Sequence, residues 1–303
     1  MNKPKQFLEF VQAELDKKEV GSLDEMNQQV SIIIEKFNSL PVAPFLGLSP
    51  TQMSNILYRP LSFENDVFTF ECQNINKFKE VPLFRHSMFL LNKLKNEGEI
   101  KATQIGNLPR ALVREMYNEF FFEERYARLP NNEDDVLGIT MVKHVLEISG
   151  LMKKRTGKFS LTKKGENLLV KDGQAQIFNE VILTFLNEWN WAYGDGYPEF
   201  YQIQRSVVFN LYLLHKKCQD WVSDKEIGQF YLNAFPTLVQ EAKWPFSPED
   251  EVINCFSIRF LNRVCLPLGL LEAKEEVVEK GKRIEYYRVT RFFKESFGFK
   301  ETV

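Results

Sequence analysis

Residues 136–169 read VLGITMVKHVLEISGLMKKRTGKFSLTKKGENLL. An amphipathic helix runs into Ser149-Gly150-Leu151. A basic strand follows, then a tight Thr156-Gly157 turn, a second strand at Phe159-Ser160-Leu161 and a new helix from Thr162. The pattern predicts a helix closed by a two-stranded hairpin.

Upstream, Phe84 to Leu94 reads as a helix and Ile100 to Thr103 as a short strand. Gly106-Asn107-Leu108-Pro109-Arg110 then opens a helix with Asn107 as its expected cap, and Leu112, Met116 and Phe120 line one face. Arg110 and Arg114 share another face. Helix, short strand, helix, helix, hairpin over residues 84–172 resembles the winged-helix family. The run T-x-x-G-N-L-P-R at 103–110 also looks like one found in uncharacterised bacterial proteins and helicase-associated winged helices.

The second half repeats the plan. Ile203, Val207, Leu211 and Leu214 give a helix, and Ser223 with Glu226 a capping box for the next. Ser247-Pro248 starts a counterpart to the 136–148 helix, with Val252, Phe256, Phe260 and Val264 at spacings of four. Leu268-Gly269-Leu270 matches Ser149-Gly150-Leu151, a longer hairpin turns at Lys280-Gly281, and Val289-Thr290 re-enters a helix as Leu161-Thr162 does. Two such units about 120 residues apart imply an internal duplication. Between them lies a helix over 174–192 and the breaker Tyr193-Gly194-Asp195-Gly196-Tyr197-Pro198.

The N-terminal 83 residues read as helices over 4–18, after Ser22 (with Glu25 completing a capping box) and after Ser49-Pro50, followed by a lone strand at Val67–Phe70. The expected architecture is mainly α with small β-hairpins: a helical N-terminal region (1–83), a winged-helix-like domain (84–172), a helical connector (173–201) and a second winged-helix-like domain (202–303).

The 303 residues carry a net charge of −2, so a basic surface here has to be local. Four cysteines, Cys72, Cys218, Cys255 and Cys265, lie far apart with no C-x-x-C, which fits reduced thiols in the cytoplasm rather than zinc or disulfides. No signal peptide and no membrane span is expected. His86, His144 and His215 stand alone, no paired carboxylates stand out, and Gly150–Lys158 lacks the spacing and hydroxyl of a phosphate loop. Catalysis, metal and cofactors are therefore not expected.

The strongest local charge is on the first hairpin: Lys153, Lys154, Arg155, Lys158, Lys163, Lys164 and Lys171 against Glu166 and Asp172. Such strands can sit on phosphates and release counterions, with Arg110, Arg114 and Lys143 adding to the surface. The bland alternative is a solvated lysine-rich hairpin. The 137–148 helix offers Thr140, Lys143, His144 and Glu147, not the Arg, Asn or Gln that read bases. In the second unit Arg259, Asn262 and Arg263 are better placed for that, but its hairpin mixes Glu272, Glu275, Glu276 and Glu279 with its lysines. Trp189, Trp191, Tyr193, Tyr197, Phe200 and Tyr201 suit base stacking, a partner's pocket or, more simply, a hinge core. The expectation is a non-catalytic factor that binds the DNA backbone through the first wing. The alternative is a protein–protein scaffold.

Overall fold

The structure, a computed structural model, describes residues 3–17, 22–58, 67–70, 78–122, 129–170, 173–277 and 283–300. Cys72, Lys171, Asp172 and the Lys280-Gly281 turn lie outside them. Helices α1 (Lys3–Leu15) and α2 (Leu23–Asn38) pack on each other through Phe7, Phe10 and Phe37. Ser22 caps α2 by accepting the Glu25 N–H. At α3 (Pro50–Tyr58) a capping box closes both ways: the Ser49 N–H donates to the Gln52 amide oxygen, and the Gln52 N–H to Ser49 Oγ. Strand β1 (Phe68–Phe70) is not alone. It pairs antiparallel with Phe297–Phe299, close to the other end of the chain.

The next run is α4 (Pro82–Glu97), β2 (Glu99–Lys101), α5 (Arg110–Phe120), α6 (Leu137–Ile148), β3 (Met152–Arg155), β4 (Lys158–Leu161) and α7 (Lys163–Val170). Its sheet has the order β2-β4-β3, all antiparallel. Thr156 and Gly157 both take positive φ at the hairpin turn, a left-handed pair that matches the twist of the flanking strands. Asn107 is not the cap of α5. Pro109 occupies that position, while Asn107 bonds to Asp134 and Thr103.

Helix α8 (Gln174–Asn187) ends before Trp189, short of the 192 that its apolar stripe implies. The predicted 203–214 helix is split at Ser206 into α9 (Gln202–Arg205) and α10 (Val207–Lys217). Then come β5 (Val222–Ser223), α11 (Asp224–Ala234) and α12 (Pro248–Phe256), which continues without a break as a π-helix over Ser257–Cys265. Strands β6 (Leu271–Val277) and β7 (Arg283–Val289), α13 (Arg291–Ser296) and β8 (Phe297–Phe299) finish the chain, with sheet order β5-β7-β6.

The two runs repeat down to single hydrogen bonds. Gly150 and Gly269 both adopt positive φ, which glycine takes without strain. Thr162 Oγ1 donates to the Gly150 carbonyl, and Thr290 Oγ1 to that of Gly269. Each threonine then accepts an N–H from the helix that follows, at Gly165 and Phe293. The chain is thus mainly helical with small antiparallel sheets, and its buried apolar residues from Leu48 to Phe297 form one cluster. A bond from the Leu83 N–H to the Pro267 carbonyl joins the two runs directly.

Candidate nucleic-acid interface

The sheet register decides which basic groups act together. Residues opposite one another in antiparallel strands project to the same face. Lys101, Lys158 and Arg155 are therefore one row across the outer face of β2-β4-β3, and Glu99, Ser160 and Lys153 the next. The inner face holds buried Ile100 and Phe159. Lys153, Arg155 and Lys158 are exposed, as are Lys163 and Lys164 at the start of α7 and Arg110 at the start of α5. Lys101, which the sequence reading left out, belongs with them; only its alternation with buried Ile100 signals its face.

Several of these cations are already engaged. Lys158 pairs with Glu99 at 2.6 Å. Lys164 pairs with Glu180 and donates to the Ser149 carbonyl. Lys154 leaves the outer face, donates to the Gly106 carbonyl and lies over the Phe159 ring. Arg114 is half-buried and donates to the Pro130 carbonyl. Among the described residues Lys101, Arg110, Lys153, Arg155 and Lys163 have no acidic partner. Like charges directly opposite in a sheet destabilise it by about 0.2–1 kcal/mol per pair. The Lys101–Lys158–Arg155 row carries that cost with only Glu99 to offset it.

Two predicted contacts are wrong. Lys143 is buried and forms an ion pair with buried Glu133, whose other oxygen accepts the Leu108 N–H. Arg259 is buried as well: its Nε and Nη2 grip the Asp195 carboxylate, and its Nη groups also donate to the Glu199 and Pro198 carbonyls. A cation that solvent does not reach, held by a buried carboxylate, is no phosphate contact. Arg263 is half-buried and donates to the Tyr193 carbonyl.

These bonds share a cause. The connector after α8 lies across both third helices. Its Tyr193 ring meets His144 edge-on at 5.4 Å, and its Asp195 takes Arg259. In α6 only Ile148 is exposed, and between Glu251 and Leu270 no residue is. Neither helix presents a free face to a groove. Burial also pushes the His144 imidazole toward its neutral form and raises the Glu147 carboxyl. In the connector Trp189, Trp191 and Phe200 are buried and Trp191 stacks on Phe260, so the cluster is hinge core, with Tyr193 and Tyr201 left exposed.

The second sheet is electrostatically closed. On its outer face Glu272 pairs with Arg288 and Lys274 with Glu276, and both cations lie over the Trp221 ring. Asn262 is used internally, accepting the Tyr287 O–H and donating to Glu285. Cys218, Cys255 and Cys265 are buried and unpaired, and burial holds the first two up at about 12 and raises the Cys265 thiol as well. Among the described residues no group of His, Cys, Asp and Glu could hold a metal ion, and no helix is long and apolar enough to cross a membrane.

Over residues 79–174 the chain matches the Y4jL N-terminal domain family. The match spans α4 to the start of α8 and so takes in the whole basic sheet. No curated protein and no solved structure matches the chain.

Proposed function

We propose that the chain is a non-catalytic accessory or regulatory protein that binds nucleic-acid backbone through the outer face of the β2-β4-β3 sheet. The observation that carries this is the row Lys101–Lys158–Arg155, with Lys153 beside it: four cations on one face against a single carboxylate, on a chain that is net acidic. The element order and sheet order of the two units support reading them as winged helices, a fold that serves both nucleic-acid and protein binding. The covered third helices favour contact through the hairpin without base reading, so phosphate is the ligand and sequence preference is weak.

Fluorescence anisotropy with a labelled 20-base-pair duplex tests this. Affinity should fall as salt rises, with a log–log slope of about −0.9 per phosphate neutralised. Changing Lys101, Lys153 and Arg155 together to Ala should reduce binding at least about 10-fold and flatten that slope by about three. An unchanged slope in the triple variant, or no binding at low salt, refutes the proposal. One observation favours a protein scaffold instead: the second unit's outer sheet face is self-neutralised around Trp221, which suits a protein surface better than phosphate. Capture of a protein partner that survives the triple variant would support it.

A further inference from the structure

A cleft of about 620 Å³ opens between the two units, walled by α4, the end of α5, the start of α6 and the π-helix. It is separate from the basic sheet. Arg85 from the first unit and Arg263 from the second both line it. Arg85 is exposed and reaches no carboxylate among the described residues; its guanidinium lies over the Phe120 ring. Arg263 donates only Nη1, to the Tyr193 carbonyl, among the described residues. Exposed Glu119 is the one acidic side chain in the lining among the described residues.

Two further features face the same space. His86 is 9 % exposed, lines the cleft and makes no hydrogen bond among the described residues. Its ring packs on Phe120 and Phe121 at 4.4 and 4.8 Å, tilted by 43° and 58° to them, so one wall of the cleft is aromatic. Burial, helped by the Arg85 charge, lowers it to about 4, so at neutral pH it is an uncharged imidazole with a donor and an acceptor unspent. Helix α6 begins in the cleft at Leu137 and Gly138, and its cap residue Val136 has no side chain to satisfy the first N–H groups. Such an end favours negative charge. Gly138 is required there, because a Cβ would stand 2.5 Å from the Phe121 ring.

We propose that this inter-unit cleft binds a small organic anion, an aromatic ring bearing a carboxylate or a phosphate monoester, with its charge held between Arg85, Arg263, the His86 N–H and the start of α6 and its ring against Phe120. The ligand touches both units at once, and so ties their packing to its presence.

Isothermal titration of the full chain tests this with 1-naphthoate and adenosine 5′-monophosphate. Their uncharged counterparts, 1-naphthalenemethanol and adenosine, serve as controls, and inorganic phosphate tests the charge alone. At least one anion should bind below about 1 mM, at least about 10-fold tighter than its uncharged counterpart and than phosphate. Arg85→Ala and His86→Phe should each weaken it about 10-fold or more, since each removes a hydrogen bond to a charged group. Melting curves of the unliganded variants show that they fold; Arg85 is exposed, and Phe keeps the ring contacts. Carboxylate and phosphate sources are told apart by which probe binds. Neither anion binding below that level, equal binding of the uncharged counterparts, or affinity that either variant leaves unchanged overturns the proposal.

Discussion

Lys143 and Lys153 have the same side chain, ten residues apart, and opposite roles. Lys143 is 5 % exposed against a buried carboxylate, whereas Lys153 stands free on an outer sheet face. Removing one partner of a buried pair costs about 3–5 kcal/mol, because the other is left charged and dry. Lys143→Ala should therefore lower urea-denaturation stability by about that much, and Lys153→Ala by less than about 0.5 kcal/mol. Equal losses would contradict the placement of Lys143. His86 adds a pH dependence. Its folded value, about 4, lies below the ordinary 6.5, so between these values the unfolded chain binds the extra proton. Its contribution is complete above about pH 6.5 and is lost as pH falls toward 4, up to about 3 kcal/mol. His86→Phe should flatten that part of a stability–pH profile. None of this is legible from charge patterns alone. A lysine's fate depends on Glu133, and an arginine's on an aspartate 64 residues away.

At the scale of elements, apolar spacing and turn residues carried most of the reading. The hairpin at Thr156-Gly157, the α3 box and the Gly150/Gly269 repeat lie where local chemistry places them. What local chemistry does not encode is pairing between distant short strands. Phe297-Gly298-Phe299 is too brief for alternation to show, and β1 therefore seemed to lack a partner. The connector was equally hidden: its aromatics mark a packed hinge, but not that it lies over the third helix of each unit. Turn α7 offers a sharp test of packing at this scale. A Cβ on Gly165 would lie 2.3 Å from the Leu151 carbonyl, a backbone atom that cannot swing away. Gly165→Ala should cost about 1–3 kcal/mol and shift the α7 amide resonances. Full stability in that variant would mean that α7 sits farther from the hairpin.

For the whole molecule, the repeat suggests two separable domains, yet both units share one core, with Leu83 and Pro267 bonded across the junction. All four tryptophans lie between 189 and 244, while helix is spread along the chain. Tryptophan fluorescence and far-UV circular dichroism should thus report coincident urea midpoints. A clearly earlier or later fluorescence transition would show two independent units. The β1–β8 pair adds a constraint of timing. At the roughly 5–20 residues per second of translation, Phe68 is made on the order of 10–50 s before the strand that covers it. During that interval a ring that ends fully buried has no sheet to join, so a nascent chain held on the ribosome is open to proteases and chaperones there until Phe297–Phe299 emerges.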